Sequence, residues 1–411
     1  MLCRFADRRS PCRECERISQ PPAPFHPTPR GWAGPSLLAM IAFEKYGQHQ
    51  PLNRQAERYA REGVDLSRST LADQVGAVAA ALAPLHALIA THVMAAERLH
   101  GDDTPVPLLA RGQTETGPPG LASLETAHCA VSSGQARTAQ QGLWTYVRDD
   151  RPFGGRSPPA ALFRFSRDRR GEHPQKHLAG WQGILQADAY TGFNALFGVA
   201  RAPGPILPAF CWSHSRRKFF ELADIAAKPR RGKKPTPISP LALEAVKRID
   251  AIFDLERAIN GLPADQRLAT RKAEIAPLMA DLHDWMTTER ARLSKHAHVA
   301  KAMDYMLTRW ADFTGLLNEG RICLTNNAAE RSLRGVALGR KAWLFAGSQR
   351  GGDRAAFFYT LIVTAKLNDI DPQAWLADVL ARIADTPMSR LDSLLPWNWA
   401  ANQKTADVKA A

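Results

Sequence analysis

The chain has 411 residues, room for roughly two to four domains, and its 45% hydrophobic content supports a buried core and excludes disorder throughout. Lys and Arg number 54 against 40 Asp and Glu, and the net charge of +14 favours a polyanionic partner, nucleic acid or an anionic membrane surface. No run reaches the ~20 apolar residues of a membrane helix, and Arg4, Asp7, Arg8 and Arg9 break any apolar leader, which predicts a cytoplasmic protein.

Residues 1–36 are rich in Pro, Arg and Cys without periodicity, and read as a disordered or remnant zinc-ribbon segment. Cys12 and Cys15 form half of a four-ligand site, and Cys3 and His26 lie at awkward spacing, so zinc is not expected. The six cysteines are too scattered for a disulfide framework. Residues 37–99 read as helical: Leu71, Val75, Val78, Leu82, Leu85 and Ile89 recur on one helix face, with a kink at Pro84. Asn53–Arg61, a turn at Gly63 and a new start near Ser67 or Ser69 suggest a helix-turn-helix, with Arg61 and Arg68 available to phosphates. An ordinary helical hairpin reads the same way.

From 100 to 220 the pattern changes. Leu143–Val147, Ala161–Phe165, Gly183–Ala187 and Ile206–Trp212 read as strands, with helical patches near Pro174–Trp181 and Gly192–Phe197. This order predicts a mixed α/β sheet. Residues 110–140 lack periodicity and resemble an inserted loop. Residues 221–323 read as a helical insertion: a basic, proline-rich linker over 228–240, then about three helices over 241–317, one marked by Leu278, Leu282 and Trp285. Residues 324–357 return to the core with a helix and a basic loop, and 358–411 close the chain. There Asp371 caps a helix with Pro372 in its first turn and a buried stripe of Trp375, Leu376, Val379, Leu380 and Ile383. A disordered tail is expected after Trp399.

Three acids stand out. Asp102 lies on or beside a strand, Asp188 ends a strand, and Glu330 starts a helix. Carboxylates so placed can converge on two divalent cations; their hard oxygens suit Mg²⁺ or Mn²⁺. Two such ions can stabilise the attacking and leaving oxygens of an in-line phosphoryl transfer. Each acid also has a structural reading. Asp102 or Asp103 can cap a turn, and Asp188 can be a solvated strand end. Glu330 can complete a capping box with Asn327 as N-cap, or pair with Arg334.

Around Glu330, the basic residues Arg331, Arg334, Arg340, Lys341, Arg350 and Arg354 are interrupted by Asp353 alone, with Trp343 and Phe345 interleaved. Gly347–Gly352 reads as a flexible loop whose backbone N–H groups can meet phosphates. The cluster fits a DNA backbone contact or a solvated basic face. Cys211 and His214, beside Arg216, Arg217 and Lys218, read as packed structure or as a metal pair. His173 and His177 mark a helix start. No Walker-type loop, nucleotide-binding glycine fingerprint or nucleophile elbow is present.

Together these stretches resemble the transposases of the insertion sequence 66 family. The likeness is carried by YGQHQPLNRQAERYAREGVDLSRSTLADQVG (46–76), HGDDTPVPLL (100–109), LWTYVRDDRPFGG (143–155) and GEHPQKHLAGWQGILQADAYTGFNALF (171–197). It continues in CWSHSRRKFF (211–220), LTNNAAERSLRGVALGRKAWLFAGSQRGG (324–352) and DPQAWLADVLARIADTP (371–387). The resemblance implies a ribonuclease-H-like α/β fold with a large helical insertion, flanked by an N-terminal helical region and a C-terminal helical segment. It implies an Asp-Asp-Glu triad of Asp102 (in preference to Asp103), Asp188 and Glu330, holding two Mg²⁺ or Mn²⁺ ions for cleavage and strand transfer at element ends. Asn327 would position the Glu330 helix. Arg331, Arg334, Arg340, Lys341, Arg350, Arg216 and Arg217 would meet DNA. The expected partners are element ends and target DNA, further copies of the chain on DNA, and helper proteins of the same element, with no membrane.

The chain departs from the family pattern in three places. The Cys12–Cys15 segment resembles the second half of a longer N-terminal zinc motif, which predicts truncation; residues 110–140 do not resemble the family's short basic loop; and Gln74 replaces an aromatic. A DNA-binding remnant without catalysis, and a nuclease that cuts without joining, are the alternatives.

Overall fold

The computed structural model describes residues 32–107, 140–223, 239–343 and 346–402, and the short paired strands β1 (Ser10–Pro11) and β2 (Ile18–Ser19). Cys3, Cys12, Cys15 and His26, the loop 110–139, the linker 228–238, Phe345 and the tail from 403 lie outside the described residues, and so do the expectations placed on them.

Four helices come first: α1 (Pro35–Tyr46), α2 (Leu52–Arg61), α3 (Arg68–Ala81) and α4 (Ala83–Met94). Gly63 makes the turn after α2 with φ of 81°, a conformation that costs glycine little. Ser67 caps α3, its side chain accepting the Thr70 N–H at 3.1 Å. The expected kink at Pro84 is a full break: α3 stops at Ala81, Pro84 sits in the first turn of α4, and the two axes bend by 56°. Leu71, Val75, Val78, Leu82, Leu85 and Ile89 are all buried. Among the described residues no single helix is long and apolar enough to cross a membrane.

The sheet follows. Strands β3 (Arg98–Pro107), β4 (Gln140–Arg148) and β5 (Ala160–Ser166) form an antiparallel meander. After α5 (Glu172–His177), β6 (Ile184–Ala187) pairs parallel with β3, and β7 (Leu207–Phe210) pairs parallel with β6. The order is β5-β4-β3-β6-β7. The last strand is shorter than expected, because Trp212 already begins α6 (Trp212–Ala223).

The insertion holds α7 (Pro240–Ala258), α8 (Ala264–Thr270), a π-helical segment Arg271–Ile275, α9 (Ala276–Ala291), α10 (His298–Leu307) and α11 (Trp310–Thr314). That is more than the three helices expected, because short turns break a stripe that reads as continuous in sequence. Its centre is ionic: Glu256 accepts from Arg267 at 2.5 Å and from Arg271 Nε at 3.0 Å. The two guanidinium groups also donate to the carbonyls of Gly320 and Ile322. All three residues are buried.

The fold closes with α12 (Asn327–Trp343), α13 (Gln349–Leu367), α14 (Pro372–Arg382), a 3-10 turn at Met388–Leu394 and a helical segment over 396–402, which carries helix past Trp399, where a disordered tail is expected from the sequence. Asp371 caps α14 as expected, accepting the Gln373 N–H at 2.8 Å. The expected loop at Gly347–Gly352 is instead a helix start. Ser348 accepts the Gly351 N–H at 3.0 Å, and the Gly351 and Gly352 N–H groups serve the first turn of α13. Gly352 is required by packing, since a Cβ there would meet the Phe165 ring at 2.2 Å. Along α13, Thr364 and Thr360 accept the N–H groups of Ala161 and Phe163 at 3.1 and 2.9 Å, which covers the open edge of β5. Segment boundaries drawn at 99, 220 and 357 fall inside β3, α6 and α13, because those elements run across the composition changes.

Two cores result. One joins α1, α3, α4, α13 and α14 to the sheet; the other joins the insertion helices to Ile184, Ala209 and Phe210.

Candidate active site

The register of the parallel strands builds the site. His100 lies beside Gln186, and the next residues carry β3 on to Asp102 and β6 out to Asp188, so the two aspartates leave neighbouring strands together. Alternation along β3 separates Asp102 from Asp103. His100 and Asp102 share the face toward α12, where His100 Nδ1 meets Asn326 Oδ1 at 3.1 Å. On the opposite face Asp103 is held by Arg169, at 2.5 and 3.0 Å, and its side chain is 5% exposed.

Glu330 enters from α12. Its placement depends on Asn326, a fully buried residue just before the helix. The Asn326 side chain donates to the Gly101 carbonyl at 2.8 Å, and its N–H donates to Cys211 Sγ at 3.2 Å. Its own carbonyl accepts the N–H groups of Ala329 and Glu330 at 3.1 and 3.3 Å. One residue, through its side chain and its backbone, thus ties β3, the residue after β7 and the first turn of α12. Gln186 supports the same segment, donating to Thr325 O at 3.0 Å and accepting the Cys323 N–H at 3.0 Å. Sequence reasoning gave the positioning role to Asn327 and the capping box to Glu330. The structure gives that role to Asn326, because the helix begins at Asn327 itself.

Asp102 feels the other two carboxylates. Burial raises Asp102 from its ordinary value to about 8, and repulsion from Asp188, Asp103 and Glu330 adds to it. Burial also raises Asp188, while His214 and Arg169 pull it back. Among the described residues, no Lys or Arg forms an ion pair with any of the three. The neighbour of Glu330 is His214, with Nδ1 3.6 Å from Oε1, and the expected pair with Arg334 is absent among the described ion pairs. Glu330 Oε1 and His214 Nδ1 are both buried without a hydrogen-bond partner. Asp188, Tyr190, His214, Arg217, Lys218 and Tyr305 line an open cleft of about 260 Å³.

An orphaned Glu330 oxygen facing an imidazole nitrogen, with Asp102 within electrostatic reach, offers donors that suit a divalent cation. Cys211, His214 and Glu330 bring ligand atoms within 4.8 Å of one another. The Cys211 thiol is pushed up to about 11 by burial, and its sulfur accepts the Asn326 N–H; soft sulfur suits a hard ion poorly.

The basic residues divide. Arg331, Arg334, Lys341, Arg350 and Arg217 are exposed, and none forms an ion pair with a described residue. Arg216 is occupied: Asp250 takes its guanidinium at 2.5 and 2.9 Å, over the Phe220 ring. Arg340 donates to the Pro105 carbonyl. Arg354 donates to the Ala72 carbonyl at 3.4 Å, packed over Gly76.

Comparison with known proteins identifies the lineage. The model of the IS66 transposase family matches residues 30–118 and 121–354, and that of the IS66 C-terminal element matches 360–397. The chain belongs to the IS66 transposase family.

Similar proteins include the uncharacterized protein y4hP of Sinorhizobium fredii, 58% identical over 389 residues, covering 94% of this chain and 66% of that protein. The uncharacterized protein y4jD of the same organism is 35% identical over 403 residues, covering 96% of this chain and 72% of its own length. This IS66-family chain therefore spans somewhat under two thirds of the first relative, at 66% of its length. The family match to 121–354 spans Asp188, Glu330 and the whole helical insertion between them.

Proposed function

We propose that this chain is a DNA transposase of the Asp-Asp-Glu type, in which Asp102, Asp188 and Glu330 hold two Mg²⁺ or Mn²⁺ ions. The observation that carries this reading is their placement on adjacent parallel strands and on the helix start that Asn326 ties to β3. Carboxylates from a central strand, the end of its parallel neighbour and a separate helix converge with no Lys or Arg ion-paired to them among the described residues, Arg169 acting on Asp188 only at longer range. Such an arrangement costs stability and is kept where a cation completes it. A meander of three strands, followed by two strands parallel to the first, supports the ribonuclease-H-like reading.

Divalent ions held there would supply charge neutralisation at the scissile phosphate. The chain's own residues do the rest. Asp102 and Asp188, fixed by strand register, and Glu330, fixed by Asn326, set the geometry at phosphorus. Arg331, Arg334, Lys341, Arg350 and Arg217 bind the DNA backbone through its phosphates. In the first step water attacks phosphorus, the P–O3′ bond breaks, and the 3′ oxygen leaves as a hydroxyl. In the second, that hydroxyl attacks a target phosphodiester, one P–O bond forming as another breaks. The reaction joins two ends, so the working form is an oligomer on DNA, with helper proteins of the same element as further partners.

The test is nicking of a supercoiled plasmid carrying the gene's flanking DNA, with Mn²⁺ and an EDTA control. Wild type is expected to nick, and Asp188→Asn to bind duplex DNA without nicking. Parallel loss of binding and nicking in the variant would refute the assignment. A folded wild type that shifts DNA without nicking would support the DNA-binding remnant.

A further inference from the structure

We infer that His214 is a fourth member of the site: its Nδ1 and the Glu330 carboxylate together hold one divalent cation. The inference rests on the reading of Asp102, Asp188 and Glu330 as cation ligands, and adds a nitrogen ligand that the triad does not include.

The position of His214 is imposed by Trp212, two residues earlier. The Trp212 ring is fully buried, its Nε1 donates to Phe313 O at 3.0 Å, and its backbone N–H donates to Leu324 O at 3.0 Å. It packs edge-on against Phe313 and Trp310. The first turn of α6 is thereby fixed against the segment that leads into α12, and His214 faces Glu330.

The contact is too long for a hydrogen bond. Nδ1 and Oε1 stand 3.6 Å apart, both buried and both without a partner. Leaving two facing polar atoms unsatisfied is costly. A cation about 2.1 Å from each would satisfy both. Two ligands at that bond length lie about 3.0 to 3.6 Å apart, depending on the angle they subtend. Asp188 lines the same cleft as His214, so an ion there has a second carboxylate within the cleft.

An imidazole ligand changes ion preference. Mg²⁺ takes oxygen ligands almost exclusively, whereas a first-row transition ion accepts nitrogen readily. The site is therefore expected to bind Mn²⁺ more tightly than Mg²⁺, with His214 the source of the difference.

The experiment uses the full chain without a histidine tag, stripped of metal and titrated with Mn²⁺ alone. Continuous-wave electron paramagnetic resonance counts bound ions, and pulsed measurements report nitrogen bound directly to manganese. The expected result is about two bound ions, with imidazole nitrogen coupling in the wild type. In His214→Gln the coupling is lost and one ion binds roughly tenfold or more weakly. Bound manganese without nitrogen coupling in the wild type overturns the inference whatever the variant does, and so does coupling that persists in His214→Gln. A wild type that binds no manganese overturns the carboxylate reading itself, which separates the two failures.

Discussion

Replacing Asp102 by Asn is expected to stabilise the metal-free protein as pH rises, while removing the nicking proposed for it. Asp102 titrates near 8 in the folded chain, against an ordinary 3.8, because burial and then its acidic neighbours oppose the charge. The folded state therefore keeps a proton that the unfolded state releases. Stability from this group is complete below 3.8 and is lost as pH rises toward 8. Asn carries no charge and retains the Oδ1 acceptor that takes the Asp103 N–H at 2.8 Å. Each pH unit in that window is worth about 1.4 kcal/mol. Between pH 6 and 8 the advantage of the variant should grow by at most about 3 kcal/mol, and by roughly 1–2 kcal/mol once coupling to Asp188 is allowed for. The assay is urea unfolding of both chains in EDTA at pH 6 and pH 8. Mn²⁺ at about a hundred times its dissociation constant should then stabilise the wild type by about 2.7 kcal/mol for each bound ion, and the variant by less, because an ion that needs Asp102 is lost. A stability difference between the chains that stays constant or shrinks from pH 6 to 8 would refute the reasoning.

Glu256→Gln leaves the buried guanidinium groups of Arg267 and Arg271 without their shared counter-ion. The expected cost is about 3–5 kcal/mol in denaturant unfolding, and a loss under about 1 kcal/mol would contradict the ionic account. Arg334→Ala should reduce the steepness of log K against log salt for duplex DNA by about 0.9, while Arg216→Ala should leave it unchanged, because Asp250 already holds that side chain. Equal effects from both would show that the exposed and paired arginines are not distinguished. His177, its Nδ1 3.1 Å from the Tyr146 hydroxyl, is held down to about 4 by burial and nearby cations. Its neutral form supports the fold above the ordinary 6.5, and that support is lost as pH falls from 6.5 toward 4. His177→Gln should remove about 1–2 kcal/mol of the acid sensitivity between pH 7 and 5, read by thermal or urea unfolding; an unchanged pH profile would contradict it.

Much of the fold was legible because its signals are local. The 3.6-residue recurrence of Leu71, Val75, Val78 and Leu82, the Ser67 and Asp371 caps, and the apolar runs around Tyr146, Phe163 and Leu185 depend only on neighbours in sequence. The candidate acids were legible through the family resemblance, which carries information that spacing lacks. Other features were not legible. A stretch with three glycines reads as a loop, yet Gly351 and Gly352 lie in the first turn of α13, and Gly352 is there because the Phe165 ring leaves no room for a larger residue. Arg216 and Arg217 are equivalent in sequence, and only the fold sets Asp250 beside the first.

Local signals in the sequence specify the helices, the central strands and the basic composition, since periodicity, capping and composition act within a few residues, and the family resemblance supplies the three candidate acids. Only the tertiary structure decided that Asp102 rather than Asp103 shares the face toward α12, that Asn326 ties that helix to β3, and that His214 faces Glu330. Those relations join residues far apart along the chain. They are set by strand register and by the packing of Trp212, which no local pattern encodes.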